Sequence, residues 1–345
     1  MKVVTIIGSH GYNGRYGGWD QLVNMLVKFN DRDIFVRIIS PHENQNSLKT
    51  DNVEVINAKL SGSGLKGLVL DICSSLIYAK STDTYLLLGA KGIPGALIAK
   101  LFFGTKIVVN AGGIEWERPQ YNKLIKLYLK FCFKMAEKFS DHLILDNEYY
   151  LKFVSKKTNN IKIIPYGGEI YTSLDHRDVE NEYDFINKKY FLSVSRSIKD
   201  NMIYELCTVF KKFPEETLVL ISNLSNSTYG RSIIERFGAE KNIILIDGLY
   251  DKEKLDCIRR NCFRYIHTHT LCGSAPSLIE MIVAGKPIIS IDRPQNRYTL
   301  QDKGMFFEDF EELQRILNNP LTPSDLPLAK RYNWQNIIMQ YQKTF

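Results

Sequence analysis

Several things are missing from this 345-residue chain, and each absence removes a class of protein. The six cysteines (73, 132, 207, 257, 262 and 272) include no Cys-x-x-Cys pair and are scattered through mostly apolar segments. A disulfide framework and a zinc site are therefore not expected, and the pattern points to a reducing cytoplasm. No apolar run approaches the roughly 18–20 residues that a membrane-spanning helix needs. The apolar start, Met1 to Gly8, is too short for a signal segment and runs into a glycine loop, so it reads as a first β-strand. Low-complexity tracts and short repeats are absent, which argues against fibrous and solenoid architectures. The dinucleotide fingerprint is missing too. Gly8, Gly11 and Gly14 have the wrong spacing, and no acidic residue ends the second strand where an NAD ribose would need one.

What is present fits a two-domain globular protein. Hydrophobic residues make up 44% and charged residues 24%, with a mean hydropathy of −0.19. That is enough apolar material for two cores of about 100–200 residues each. The net charge of +7 is unevenly placed: residues 1–165 hold 22 Lys/Arg against 14 Asp/Glu, and the remainder hold 23 against 24. A basic amino-terminal half suits an anionic partner such as a membrane surface or a nucleic acid, with ordinary solubility charge as the alternative.

Short, nearly all-apolar segments alternate with helical patterns. In the first half, strands are expected at Val3–Ile7, Phe35–Ser40, Val53–Asn57, Thr84–Leu88, Lys106–Asn110, His142–Leu145 and Ile161–Ile164. Helices are expected at Asp20–Lys28, Gly67–Ala79, Pro94–Phe103, Asn122–Phe139 and Asn147–Lys156. Such strands between helices imply parallel sheets covered on both faces. Residues 166–189 lose the rhythm and read as a linker or domain edge. A second strand–helix series follows over 190–325, and 326–345 ends in an amphipathic helix that would pack back toward the first domain. The expected fold class is α/β: two Rossmann-like doubly wound domains facing across a cleft, with ligands at the carboxyl ends of strands.

The richest stretch runs from Tyr265 to Glu280. A strand, Arg264 to His267, leads into a small-residue turn, and Pro276 and Ser277 open a helix expected to carry Glu280 in its first turn. The start of a helix leaves N–H groups free and carries partial positive charge, which suits a phosphate. Glu280 would accept hydrogen bonds from sugar hydroxyls, so a nucleotide-sugar fits the whole. A second strand end, Ser193-Val194-Ser195-Arg196, is followed by Asn201 at a helix start. Arg196 can fork onto two phosphate oxygens, and Asn201 can donate one hydrogen bond. In the first loop, Gly17 and Gly18 permit close backbone approach, and Asp20 reads as the helix N-cap or a first-turn acid.

Lys123, Lys126, Lys130, Lys134 and Lys138 recur every three or four residues on one expected helix, interleaved with apolar residues. A basic amphipathic helix reads as a membrane-surface element; a solvated helix face is the plainer alternative.

Several of these segments resemble a known family. Arg15-Tyr16-Gly17-Gly18-Trp19, Gly113-Ile114-Glu115-Trp116-Glu117-Arg118, Asp146-Asn147 and Ile164-Pro165-Tyr166-Gly167 match landmarks of GT-B glycosyltransferases of family 4. Within that family they resemble a bacterial rhamnosyltransferase subgroup that builds capsule, cell-wall and O-antigen polysaccharide. Arg196 with Asn201 resembles the donor-diphosphate pair. Tyr265-Ile266-His267, His269, Gly273, Pro276-Ser277-Leu278 and Glu280 resemble the donor-binding turn and helix. The chain departs from the subgroup pattern at Gly112, Thr270, Cys272 and Ala275.

The resemblance implies a retaining, metal-independent hexosyltransferase with no cofactor. It would move a sugar, L-rhamnose from dTDP-rhamnose in the first instance, to a polyprenyl-diphosphate-linked saccharide at the inner face of a bacterial membrane. Donor contacts would come from Gly17, Gly18, Arg196, Asn201, His269, Gly273, Ser274, Pro276, Ser277, Leu278 and Glu280. Arg15, Tyr16, Trp116 and Arg118 would lie on the acceptor side, and Glu115 or His10 would serve if a base assists. A UDP- or GDP-sugar donor and a nucleotide-sugar epimerase on the same scaffold are the enzyme alternatives. A nucleic-acid-binding protein is the non-enzymatic one, and it is disfavoured because the aromatics form no stacking platform.

Overall fold

The computed structural model describes residues 1–14, 17–117, 121–155, 160–318 and 328–345. The chain divides into two compact units, one of Met1–Tyr166 with Trp334–Phe345 and one of Gly167–Asn333.

In the first unit the order is β1 (Lys2–Ile7), α1 (Gly18–Lys28), β2 (Ile34–Ser40), β3 (Val53–Asn57), α2 (Gly64–Ile77), β4 (Thr84–Leu88), α3 (Ile93–Phe103), β5 (Lys106–Gly112), α4 (Lys123–Phe139), β6 (His142–Leu145) and β7 (Ile161–Ile163). The seven strands form one parallel sheet in the order β3-β2-β1-β4-β5-β6-β7. Every residue of β4 is buried, as a strand covered on both faces requires. The chain leaves β1 toward β2 on one side and later runs from β4 to β7 on the other. Right-handed crossovers therefore place α1 on one face and α2, α3 and α4 on the opposite face. Ile7, Leu87, Ile93, Ala96, Val109, Cys132 and Phe133 form the core beneath those three helices. The closing helix Trp334–Gln342 packs beside α1, and Asn110 Nδ2 donates to Tyr341 Oη at 2.6 Å.

The second unit contains α5 (His176–Val179), β8 (Tyr190–Val194), α6 (Ile203–Phe210), β9 (Thr217–Ser222), α7 (Thr228–Phe237), β10 (Ile243–Asp247), α8 (Lys252–Asn261), β11 (Arg264–His267), α9 (Pro276–Val283), β12 (Ile288–Ile291), α10 (Pro294–Leu300), β13 (Met305–Phe307) and α11 (Phe310–Asn318). Its six strands are parallel in the order β10-β9-β8-β11-β12-β13. The direction of winding reverses between β1 and β4 in the first sheet and between β8 and β11 in the second. Each reversal opens a crevice at the strands' carboxyl ends.

The elements differ from the expected ones in two places, over 147–156 and over 294–300. Asn147–Lys156 is not an α-helix: Glu148–Phe153 forms 3₁₀ turns, drawn tight by Asn147 Oδ1 accepting from Tyr149 N at 3.0 Å and by edge contacts among Tyr149, Tyr150 and Phe153. Residues 166–189, read as a linker or domain edge, begin at the boundary between the two units, and Val179, Phe185 and Ile186 are buried within the second. Helix α10 was not anticipated. Gln295, Asn296 and Thr299 are buried in it, so it lacks the apolar stripe from which a helix is read. Prolines 320, 323 and 327 lie outside the described residues.

Candidate functional site

At the second sheet's switch point the chain leaves β8 through Ser195 and Arg196, then makes a 3₁₀ turn at Lys199–Asn201. Asn201 is buried, and its Nδ2 donates to the Arg196 carbonyl at 2.8 Å. Its amide thus fixes the arginine's backbone through one of its two N–H groups. The loop after β11 is stitched onto the same turn. Thr268 Oγ1 donates to the Asn201 carbonyl. Thr270 donates to the Asp200 carbonyl through both its N–H (3.1 Å) and its Oγ1 (2.9 Å). Helix α10 holds the loop's other side, with Gln295 Nε2 donating to the Thr270 carbonyl at 2.6 Å and Asn296 Nδ2 to the His269 carbonyl at 3.1 Å.

His267 and His269 stand side by side here, with ring centroids 4.3 Å apart, and both are buried. Burial, reinforced by the nearby Arg196 guanidinium, pushes His269 down to about 3; burial and its neighbour push His267 well below the usual imidazole range. Both rings are neutral near pH 7. The influence of Arg196 on His269 brings together two residues named from separate strand ends.

The start of α9, like those of α1, α2, α3, α6 and α10, has no side-chain cap. Asn122, Ser227 and Asp251 cap α4, α7 and α8 through their side chains, whereas the N-cap of α9 is Ala275, which has no side-chain oxygen. Pro276 has no N–H, and Leu278 N already donates to the Ala275 carbonyl at 3.0 Å. The first-turn donor outside these bonds is therefore Ser277 N–H, narrower than the Pro276–Leu278 set read from the sequence. Gly273 and Ser274 are buried in the turn that leads to it.

Glu280 lies in the second turn of α9, not the first. Arg259 donates to Glu280 Oε2 and, at 2.7 Å, to Asp256 Oδ1; Asp256 Oδ2 accepts from Tyr171 N at 2.9 Å. Burial opposes the charge on Arg259, but the two carboxylates outweigh it and hold its pKa above the ordinary value. The sequence reading missed Arg259 and Asp256. Their i, i+3 spacing on α8 was visible, but their link to Glu280 on another helix was not.

In the first unit, loop 8–14 is also latched. Asn44 Nδ2 donates to the carbonyls of His10 (2.5 Å) and Tyr12 (2.8 Å). Asp20 Oδ1 accepts from His10 N at 3.0 Å and sits 3.5 Å from His10 Nδ1. Asp20 is thus the acid that anchors the loop, and Gly17 is the N-cap of α1. A side chain at Gly17 would meet open space, whereas one at Gly18 would press on the Tyr166 ring at 2.9 Å. Gly112 has φ +60 and lies against Trp19, with only 3.0 Å for a Cβ, which accounts for glycine at this departure from the subgroup pattern.

Glu115 opens a 3₁₀ turn and is half-buried. Its charge reaches Asp71, which pairs with Lys91 at 3.3 Å and is pushed up to about 6, chiefly by burial. Trp116, expected on the acceptor side, is buried edge-on against Phe133 (4.8 Å) and Phe153 (6.3 Å). Arg15, Tyr16 and Arg118 lie outside the described residues. On α4, Lys123, Lys130 and Lys138 are exposed and Lys126 is half-exposed. Lys134 is not free for a surface, because it is tied to Glu137 (2.8 Å), the Phe153 carbonyl (3.1 Å) and Ser155 (2.5 Å). A cavity of about 200 Å³ lined by Lys189, Glu216, Phe263 and Arg264 lies at the amino ends of the second sheet's strands, the end opposite Arg196 and the α9 start.

Residues 1–169 match the family model described as a domain of unknown function, DUF1972. No curated protein matches the chain by sequence. Solved structures resemble it over nearly its full length. Sucrose-phosphate synthase from Thermosynechococcus elongatus superposes with a TM-score of 0.78 at 16% identity, covering 99% of this chain and 98% of that one. HepE of Anabaena in complex with UDP-glucose gives 0.75 at 16%, covering 100% and 99%. An E. coli trehalose-6-phosphate structure bound with UDP-2-fluoro glucose gives 0.67 at 13%, covering 100% and 96%. The architecture is the GT-B fold of glycosyltransferases.

Proposed function

We propose that this protein is a retaining, metal-independent glycosyltransferase whose nucleotide-sugar donor binds at the switch point of the second unit. The observation that carries the reading is the convergence of Arg196, neutral His269 and the uncapped start of α9 at the carboxyl ends of β8 and β11. Arg196 would fork onto the diphosphate, and Ser277 N–H with the α9 dipole would take another oxygen. These groups face the negative charge that grows on the leaving diphosphate as the glycosidic bond breaks. Donors organised in advance at that position are usually the largest single contribution to such catalysis. His269, held uncharged, offers a hydrogen bond without competing for the phosphate's charge. Arg259 orients the Glu280 carboxylate toward the sugar hydroxyls.

L-rhamnose from dTDP-rhamnose is the proposed donor, on the strength of the segments shared with the rhamnosyltransferase subgroup. A UDP-sugar is the second reading, favoured by the UDP-glucose and UDP-2-fluoro glucose in the similar structures. The acceptor is proposed to be a polyprenyl-diphosphate-linked saccharide, met by the first unit at the inner face of the cell membrane, with Glu115 or His10 assisting the acceptor's proton. A thermal-shift screen against dTDP-, UDP- and GDP-sugars tests the donor, since a ligand of the folded state raises its stability with concentration over Kd. One nucleotide class should raise the midpoint, and Arg196→Ala should abolish the rise. Equal shifts in wild type and Arg196→Ala would defeat the proposal.

A further inference from the structure

The three helices on one face of the first unit are apolar on the wrong side. A helix that covers a sheet buries one stripe and shows water the other. On α4 the buried stripe is Leu129, Cys132, Phe133 and Ala136. The opposite side carries not only lysines but also Leu124, 78% exposed, with Leu127 and Phe131. On α2, Leu65, Val69, Leu76 and Ile77 are exposed at i, i+4, i+11 and i+12, a single outward stripe, with Leu65 77% exposed. Helix α3 packs against both neighbours and ends in Leu101, Phe102 and Phe103; Leu101 is 79% exposed. Most of the exposed large apolar side chains described lie on these three helices, whereas α1 and the closing helix α12 (Trp334–Gln342) on the opposite face contribute only Met339. A continuous apolar surface of this kind marks an interaction face.

The charges on the same face select the partner. Lys66, Lys80, Lys123, Lys130 and Lys138 are exposed around it. The acids within α2, α3 and α4 are Asp71, which is buried, and Glu137, which is half-buried, and both are paired with lysines. The face is thus apolar with a basic rim and no exposed carboxylate on its helices. A second copy meeting it about a two-fold axis would set lysine against lysine. No described helix is long and apolar enough to cross a membrane. We infer that the α2–α3–α4 face inserts shallowly into an anionic lipid bilayer, with Leu101 and Phe102 entering the acyl boundary and the lysines meeting the headgroups. This deepens the membrane seat proposed above, and rests on it, by widening it from one lysine helix to a three-helix face.

Flotation of the full chain with vesicles, without donor or acceptor, tests the inference. The wild type should float with equimolar phosphatidylcholine and phosphatidylglycerol, and weakly with phosphatidylcholine alone. Leu101→Ser with Phe102→Ser should lower partitioning about a hundredfold, roughly tenfold for each buried side chain. Lys123→Gln with Lys130→Gln should lower it about fivefold per lysine on the anionic vesicles only. All four positions are exposed, and unchanged tryptophan emission would verify the fold. Emission from a Phe102→Trp variant should shift to the blue on vesicle binding. A wild type that stays unbound on both compositions, or a Leu101→Ser/Phe102→Ser variant that floats normally, would overturn the inference. So would a dimer that this variant dissolves while vesicles capture nothing. Because no sugar donor is present, nucleotide binding can fail without affecting this result, and the reverse also holds.

Discussion

The two switch points are built on one topology and held in opposite ways. After β8 and β11, the two loops are sewn to each other through Thr268, Thr270 and the Lys199–Asn201 turn, with buried uncharged imidazoles behind them. After β1 and β4, the first loop is anchored separately by Asn44 and Asp20, and the nearby ionisable cluster is Asp71, Lys91 and Glu115. In the proposed reading, the donor's diphosphate meets the crevice whose loops are sewn together, and the acceptor meets the one whose loop is anchored separately. The buried groups also respond to protons in opposite directions, which makes the contrast measurable.

The largest expected effect is on stability. Arg259→Ala leaves Asp256 and Glu280 without their shared cation and should cost about 3–5 kcal/mol. Urea unfolding followed by far-UV circular dichroism would detect it. Trp19, Trp116 and Trp334 all belong to the first unit, so their fluorescence should report a transition that moves much less. A loss equal in both signals would erase the distinction between the units.

Acidification should separate the units next. His267 and His269 have lowered pKa values when folded, so the unfolded chain takes up protons first as pH falls through about 6.5. Their contribution is full above that pH and is lost below it, about 2 kcal/mol per histidine by pH 5. Asp71, raised to about 6, behaves in reverse: the folded state takes up the proton first, so the first unit gains stability as pH falls from about 6 toward 4. The circular dichroism midpoint should therefore drop at pH 5 relative to pH 7.5 by more than the tryptophan midpoint, where Asp71 offsets the one lowered histidine of the first unit, His142. Parallel shifts would contradict the assignment.

Smaller effects refine the picture. Thr270→Val removes the hydroxyl bond to the Asp200 carbonyl and should cost about 1 kcal/mol, with a weaker grip on nucleotide diphosphate in calorimetry. Gly18→Ala should cost about 1–3 kcal/mol by crowding Tyr166. Gly17→Ala meets nothing and has an extended backbone, so it should leave the unfolding midpoint within about 0.5 kcal/mol. Any fall in sugar transfer in that variant would then report on substrate approach alone.

Much of this was legible in the residue order. Strands buried on both faces read as apolar runs, and the expected strand positions nearly coincide with those observed. Arg196 and the α9 start were singled out because both stand at strand ends, where topology and chemistry coincide. Other features depend on contacts between distant segments, which local pattern does not carry. The bond from the Asn201 amide to the Arg196 carbonyl is likewise one that local pattern does not carry. Arg259 is invisible as a partner of Glu280 because the two sit on different helices. Helix α10 folds around buried amides rather than an apolar stripe. The lysines of α4 were visible, but the outward placement of Leu101 and Phe102 follows only from the sheet burying Ile93, Ala96 and Ala99 on the other side of α3.

The most direct test is calorimetric titration of dTDP and UDP into the wild type and Arg196→Ala. The account predicts that one of these diphosphates binds the wild type, that its monophosphate binds far more weakly, and that Arg196→Ala loses most of the diphosphate affinity while unfolding at the same urea concentration. Equal affinity for the diphosphate in both proteins would contradict the placement of the donor.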